Sequence, residues 1–171
     1  WKYNIEVQER EMTDEEKKAQ TLRESLFIVN EWVADYYADQ LHNSVDGASI
    51  GMPYFRSRGF RDDIIEKFKL GFAPSDRKLL AKTAVGKGYK EEYLEKTGTC
   101  YKTDRGELID RFAGRVIFPW IGQSGKIIGF GGRLLDSRTK GVSQKYVNSP
   151  ETDIYKKDSE LYGIFQAKKA I

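Results

Sequence analysis

Hydrophobic residues recur at helical spacing near the start of the chain, over residues 13–43, and this segment contains no Pro or Gly. The spacing predicts one long amphipathic helix whose apolar and aromatic stripe belongs to the core. Thr13 followed by Glu16 has the spacing of a capping box, so the helix should start there. Trp32 and Tyr36 lie one turn apart and should stack. The stripe consists of Leu22, Leu26, Val29, Val33, Tyr36 and Tyr37.

Shorter segments between residues 44 and 100 are punctuated by glycine and proline, which break helices. Gly47, Gly51 and Pro53 predict a loop. The pattern then predicts a turn ended by Gly59, a helix over 62–70 closed by Gly71, a helix from the N-cap Ser75 to Gly86, and a short helix ended by Gly98.

The pattern changes to strands after residue 100. Residues 114–122 and 126–135 are rich in β-branched and aromatic side chains and flank a glycine-containing loop, which predicts a β-hairpin. Residues 142–149 form a plausible third strand, and residues 158–171 return to a helical pattern. The fold class is therefore α+β: a long N-terminal helix and short helices, then a small, mainly antiparallel β-sheet and a C-terminal helix.

Composition restricts the classes of function. The chain of 171 residues has one cysteine and one histidine, so a disulfide within the chain and a zinc site built from Cys and His are excluded. No apolar run has the length of a membrane span and no signal peptide is visible, which suits a cytoplasmic protein. Because the first residue is Trp1, we expect a piece of a longer protein.

Charge is distributed unevenly along the chain, whose net charge is +3. Residues 1–50 hold 5 of the 29 Lys and Arg residues but 11 of the 26 Asp and Glu residues. The first part is therefore acidic and the rest basic, which indicates a polyanionic partner. An ordinary lysine-rich surface explains the charge equally well.

Three glycines interrupt the second strand of the predicted hairpin, immediately before Arg133. Gly129, Gly131 and Gly132 do not form the dinucleotide motif G-x-G-x-x-G, because Leu134 stands at the third position, and no stretch has P-loop spacing. Glycines in a strand let another backbone or a nucleotide approach closely. Arg133 would then project from a bared surface, where it could contact phosphate or a base.

The stretch "KYVNSPET" over 145–152 has more side chains that could bind a ligand than a turn requires. In a strand, Tyr146 and Asn148 face one way and Lys145 and Val147 the other. Tyr146 offers a stacking face, Asn148 a donor and an acceptor, and Lys145 a charge for phosphate. The alternative is a strand end with a polar loop. No residues of this chain form a recognisable catalytic or metal-binding arrangement.

Three longer stretches together resemble bacterial replicative DNA primases, the DnaG family. They are "YFRSRGFRDDIIEKFKLGFAP", "DRFAGRVIFPWIGQSGKIIGFGGRLL" and "KYVNSPETDIYKKDSELYG". The resemblance extends from about residue 54 to the C-terminus. It implies that residues 1–16 link to an upstream zinc-binding domain and that 17–171 form the N-terminal subdomain of the RNA polymerase core, followed by a TOPRIM subdomain.

The same resemblance implies a groove for nucleic acid and nucleotides. Its residues would be Arg58, Arg133, Lys145, Tyr146, Asn148 and Lys157. Arginine and lysine would contact phosphates, and Tyr146 and Asn148 would contact base or sugar. The three glycines would keep the floor of the groove low. The sequence departs from the family at Lys156-Lys157-Asp158, where members often have His-Lys-Gly, and at Trp120, which we interpret as a packing variant.

The family's partners and cofactors follow from the resemblance in the same way. The full-length protein would use Mg²⁺ at TOPRIM carboxylates and Zn²⁺ upstream, and neither in this segment. It would bind single-stranded template, ribonucleotides and RNA primer, and a replicative helicase through a further C-terminal domain, in the bacterial cytoplasm. The segment itself would be an inactive monomer. Alternatives are a protein-interaction module docking through helix 18–43 and a TOPRIM-related nuclease or topoisomerase.

Overall fold

A computed structural model describes residues 12–135 and 145–156. The predictions for residues 1–11, for the start of the third strand at 142–144, for Lys157 and for the C-terminal helix lie outside these residues. Within them the helices are α1 (Asp14–Asn43), a π-helical turn (Gly47–Gly51), α2 (Met52–Ser57), α3 (Asp62–Lys67), α4 (Leu79–Gly86) and α5 (Glu91–Lys96). The strands are β1 (Gly71–Phe72), β2 (Cys100–Lys102), β3 (Leu108–Asp110), β4 (Arg115–Ile121), β5 (Ile127–Leu134) and β6 (Tyr146–Asn148). The α+β fold class is confirmed.

Helix α1 forms as its pattern predicts. The Thr13 hydroxyl accepts a hydrogen bond from the backbone N–H of Glu16 at 3.1 Å, so the predicted N-cap is confirmed. The rings of Trp32 and Tyr36 stack with their centroids 5.6 Å apart. Most of the stripe is buried, including Leu26, Val29, Val33, Tyr36 and Tyr37. The helix is therefore held by packing of its apolar side.

The main sheet has the strand order β1-β4-β5-β6, and every neighbouring pair is antiparallel. The predicted hairpin is β4–β5, and the predicted third strand pairs with β5. One face of the sheet packs on α1, where the Tyr37 and Phe130 rings lie 5.8 Å apart. The opposite face is covered at the β1 end by Phe55 and Phe60, which contact Phe118 of β4. The rest of this second face holds the candidate site.

The prediction of a loop over residues 44–55 is wrong. Gly47–Gly51 forms a π-helical turn and continues directly into α2. Pro53 occupies the first turn of α2, the part of a helix where proline is best tolerated. Gly47 is required by packing, since a Cβ there would collide with the Gln40 carbonyl.

Two predicted helix boundaries are also wrong. The helix at 62–70 ends at Lys67, and the left-handed residue after it is Lys69, with φ 53°. Gly71 begins strand β1 instead of closing the helix. A Cβ on Gly71 would lie 2.6 Å from the Tyr37 Cβ, so this glycine lets the strand pack against α1.

The next helix starts later than predicted. Ser75 is not its N-cap, because α4 begins at Leu79, after Lys78. The helix ends at Gly86, as predicted, and the glycine with positive φ beyond its end is Gly88, at 97°. The predicted helix-ending glycines Gly59 and Gly98 do have positive φ, at 89° and 75°. The β2–β3 hairpin is not predicted from the sequence.

Candidate nucleic-acid interface

Arg133 occupies the second face of the sheet on β5, opposite Tyr146 of β6. Its Nε donates a hydrogen bond to the Tyr146 hydroxyl at 3.0 Å, and its guanidinium carbon lies 5.4 Å from the centre of the Tyr146 ring. Its Nη1 donates to the Leu134 carbonyl at 3.1 Å. The guanidinium is therefore held in one orientation before any ligand arrives.

Tyr54 of α2 also contacts the guanidinium group of Arg133. The Arg133 guanidinium carbon is 5.4 Å from the centre of the Tyr54 ring, and that of Arg58 is 5.3 Å from the same ring. Arg58, Tyr54, Arg133 and Tyr146 thus form a continuous series, here called the Arg–Tyr row. Sequence reasoning missed Tyr54. The available signal was its spacing of four residues from Arg58, which brings side chains together on a helix.

The three predicted close-approach glycines lie beside side chains of the chain itself. Cβ atoms on Gly129 and Gly131 would lie 3.1 Å from atoms of the Trp120 indole. A Cβ on Gly132 would lie 2.9 Å from Phe112. The close neighbours of these glycines are therefore Trp120 and Phe112, and a nucleic acid lying on this strand stays a prediction. Trp120 acts in packing, as expected for this departure from the family.

Lys145 and Asn148 are exposed at the two ends of β6. Asn148 pairs with Gly131, and Tyr146 pairs with Arg133, so Asn148 and Tyr146 share the face of the Arg–Tyr row. The Lys145 carbonyl accepts from the Leu134 N–H at 2.7 Å, which places the backbone of Lys145 beside the end of β5, next to Tyr146. The structure brings five predicted site residues to one region.

Ser149 and Pro150 fix the end of this segment. The Phe130 N–H donates to the Ser149 hydroxyl at 2.8 Å, and the Ser149 N–H donates to the Phe130 carbonyl at 2.9 Å. The Pro150 ring occupies the space where Gly98 lacks a Cβ. Strand β6 is therefore anchored by a buried serine immediately after its last residue.

The chemistry of this face is suited to single-stranded nucleic acid. Arginine presents planar N–H groups to phosphate, and a tyrosine ring stacks on any base. The Tyr146 side is open to solvent, with 63% of the residue exposed. Residues 12–135 and 145–156 contain no group of three or more His, Cys, Asp or Glu that could hold a metal ion. No helix among these residues is long and apolar enough to cross a membrane.

Comparison with known proteins identifies the family. The model of the DNA primase catalytic core, N-terminal domain, matches residues 36–168. DNA primase of Deinococcus radiodurans is 35% identical over 156 residues, covering 91% of this chain and 26% of the relative. DNA primase of Escherichia coli K12 is 35% identical over 147 residues, covering 86% of this chain and 24% of the relative. The chain thus spans about a quarter of the length of these relatives.

Solved structures agree with the sequence comparisons. A DnaG primase catalytic domain bound to ssDNA superposes with a TM-score of 0.74 at 33% identity, covering 86% of this chain and 46% of that one. The RNA polymerase domain of Mycobacterium tuberculosis primase DnaG gives 0.72 at 36% identity, with coverage of 81% and 43%. The chain therefore belongs to the DnaG primase family, as the N-terminal domain of the catalytic core.

Proposed function

We propose that this chain forms the template-binding wall of a bacterial DNA primase, which synthesises short RNA primers on single-stranded DNA. The Arg–Tyr row is the observation that carries the proposal. It holds Arg58 and Arg133 for phosphates and leaves the Tyr146 ring open for a base. Lys145 and Asn148 add a charge and an amide at the edge. The single-stranded DNA template would follow the face of β5 and β6, and ribonucleotides would pair with the template there.

The whole protein would supply what this segment lacks. A TOPRIM subdomain would hold Mg²⁺ for nucleotidyl transfer, and an upstream domain would hold Zn²⁺. The solved primase of Aquifex aeolicus contains zinc-binding and RNA polymerase domains, which supports this arrangement. A further domain would bind the replicative helicase in the cytoplasmic replisome. We expect the segment alone to be a monomer, and to be inactive because the carboxylates that would hold Mg²⁺ would belong to the TOPRIM subdomain.

The competing functions receive less support. A protein-interaction module docking through helix 18–43 would need the apolar side of α1, but that side packs inside this chain. A TOPRIM-related nuclease or topoisomerase does not agree with the match to the primase core. The DnaG structure bound to ssDNA favours the template role for this fold.

Fluorescence anisotropy of a labelled single-stranded oligonucleotide, titrated with the chain at several salt concentrations, tests the proposal. Binding should weaken steeply with salt, because phosphate neutralisation releases counterions. Arg133→Ala and Lys145→Ala should each weaken binding and reduce the salt slope by about 0.7. Lys82→Ala, an exposed lysine on α4, is the matched control. Binding that both site variants leave unchanged would contradict the assignment.

A further inference from the structure

A polar cavity of about 290 Å³ lies between the segment before α4 and the start of β4, and none of its lining residues belongs to the Arg–Tyr row. Its size is close to the lower end for small-ligand pockets, about 300 Å³. It therefore suits a group as small as a diphosphate. The residues that give it chemistry are Ser75, Arg77, Tyr101, Asp110, Arg111 and Arg115.

Tyr101 holds two of the three arginines in place. Arg77 donates from Nη2 to the Tyr101 hydroxyl at 2.7 Å, and the Arg111 guanidinium carbon lies 5.4 Å from the centre of the Tyr101 ring. The Arg111 Nε donates to the Gly98 carbonyl at 2.7 Å. Each guanidinium has five N–H donors in a planar fork, so most of them remain for a ligand.

Positive charge exceeds negative charge in this cavity. Three arginines line it, against the single carboxylate of Asp110. Within residues 12–135 and 145–156, neither Arg77 nor Arg111 lies within ion-pair distance of a carboxylate, whereas nearby Lys78 is paired with Glu107 at 3.4 Å. Arg77 and Arg111 are therefore not neutralised by a carboxylate within this part of the chain.

Asp110 also lines the cavity, although nearly all of the residue is buried. It is only 3% exposed, and its Oδ1 accepts from the Tyr37 hydroxyl at 2.7 Å and from the Phe112 N–H at 2.9 Å. Its Oδ2 is buried and has no hydrogen-bond partner among the described residues. A buried oxygen of this kind is costly unless something satisfies it. The other ionisable groups that act on it are Arg115, Tyr36 and Cys100.

We propose that this cavity is a phosphate-binding site separate from the Arg–Tyr row. The guanidinium groups of Arg77, Arg111 and Arg115 would hold the phosphate oxygens. The carboxyl group of Asp110 would oppose the anion when it is ionised and would not oppose it when it is protonated. The phosphate could belong to a nucleotide's terminal phosphates or to the backbone of a nucleic acid. Burial raises the pKa of Asp110 to about 7, so the neutral carboxyl is present near neutral pH.

Calorimetric titration of the 171-residue chain with inorganic pyrophosphate tests this site. Arg77→Ala removes an exposed side chain and should weaken binding by about tenfold or more, because it deletes a charged donor. Arg105→Ala, in the turn between β2 and β3, is the matched control and should leave pyrophosphate affinity unchanged. Failure of this site and failure of the proposed function stay distinguishable, because this site is tested with pyrophosphate and Arg77→Ala, and the proposed function with an oligonucleotide and Arg133→Ala.

Asp110→Asn gives a second and opposite readout. Asparagine keeps an acceptor for Tyr37 and Phe112 but places an N–H₂ where Oδ2 was and removes the negative charge. Pyrophosphate affinity should therefore rise at pH 8, and the gain should shrink at pH 6, where the wild-type carboxyl is largely protonated. A structural carboxylate that never meets a ligand would show no such gain.

The same variants distinguish the two sources of phosphate. If the site binds nucleic-acid backbone, Arg77→Ala also weakens oligonucleotide binding and pyrophosphate competes with the oligonucleotide. If it binds terminal phosphates, oligonucleotide affinity stays constant while pyrophosphate affinity falls. Both results support a phosphate site. Failure of the wild type to bind millimolar pyrophosphate, or equal binding by wild type and Arg77→Ala, overturns it.

Discussion

The Arg133 guanidinium lies 5.4 Å from the centre of the Tyr54 ring, which connects strand β5 to helix α2 across the second face of the sheet. Arg58 contacts the same ring from the end of α2. Both arginines of the Arg–Tyr row thus contact one aromatic side chain. The row therefore depends on the packing of α2 as well as on the pairing of the strands.

Replacing Tyr54 should weaken oligonucleotide binding even though Tyr54 is not one of the residues predicted to contact DNA. Each exposed cation–π contact contributes about 0.5–1 kcal/mol, so Tyr54→Ala should reduce affinity by about two- to fivefold for each contact that is lost. Tyr54→Phe retains the ring and should bind nearly as the wild type does. Anisotropy titrations measure both. A loss of equal size in Tyr54→Phe would show that the hydroxyl, and not the ring, is needed.

The anchor at Ser149 should be important for stability. In Ser149→Ala the buried Phe130 N–H loses its acceptor, and an unsatisfied buried donor costs about 1–3 kcal/mol. Urea unfolding should show this loss. Ser49→Ala removes an exposed hydroxyl that bonds within its own turn, and should change the free energy of unfolding by less than about 0.5 kcal/mol. Equal effects of the two variants would contradict the anchor.

Replacement of Gly131 and of Gly86 by alanine should have opposite effects on the stability of the fold. At Gly131 a Cβ would lie 3.1 Å from the Trp120 Nε1, so the indole must shift, and overpacking of this kind costs about 1–3 kcal/mol. At Gly86, in the last turn of α4, nothing lies within 4 Å and alanine fits the helix. Gly86→Ala should stabilise by up to about 1 kcal/mol. Thermal unfolding of both variants tests the contrast.

The buried carboxyl of Asp110 should make stability depend on pH. Burial raises its pKa to about 7 in the folded chain, against about 3.9 when unfolded. Between these values the folded state retains a proton that the unfolded state has released, so the contribution of Asp110 is complete below pH 4 and is lost as pH rises through 7. The slope is about 1.4 kcal/mol per pH unit.

Comparison with Asp110→Asn isolates this effect from the other carboxylates. Between pH 5 and pH 8 the free energy of unfolding of the wild type should fall relative to the variant by about 3 kcal/mol. Urea unfolding at each pH measures the difference. A difference that stays constant, or that changes in favour of the wild type as pH rises, would show that the carboxyl is ionised throughout.

The parts of the fold that could be predicted are those whose signal is local and repeated. Helix α1 has a long helical period, and the β4–β5 hairpin has β-branched runs around a short loop. Strand β1 could not be predicted, because two residues give no period and its pairing with β4 is a tertiary contact. The helical segment at 47–57 was not predicted, because glycine and proline usually interrupt a helix. Here the glycines serve packing and the proline lies at the start of a helix.

Some residues of the candidate site could likewise be predicted from the sequence, and others could not. Arg133 and Tyr146 belong to motifs of the family, and the pairing of these two residues follows from the strand order. Tyr54 gave a weaker signal, because its contact with Arg133 joins residues far apart in sequence. The arginines of the cavity come from two segments, because Arg111 and Arg115 lie close to Asp110 in sequence and only the folded chain brings Arg77 to them.

The π-helical turn before α2 has a consequence for the length of the chain at that point. The Met52 N–H bonds to the Gly47 carbonyl, five residues back, so this turn holds one residue more than an α-helical turn. Deleting one residue there would rotate the rest of the helix by about 100° relative to α1. Tyr54 would keep its contact with Arg58 but lose its contact with Arg133. The number of residues between α1 and α2 thus sets the rotation of α2 that brings Tyr54 to Arg133 in the Arg–Tyr row.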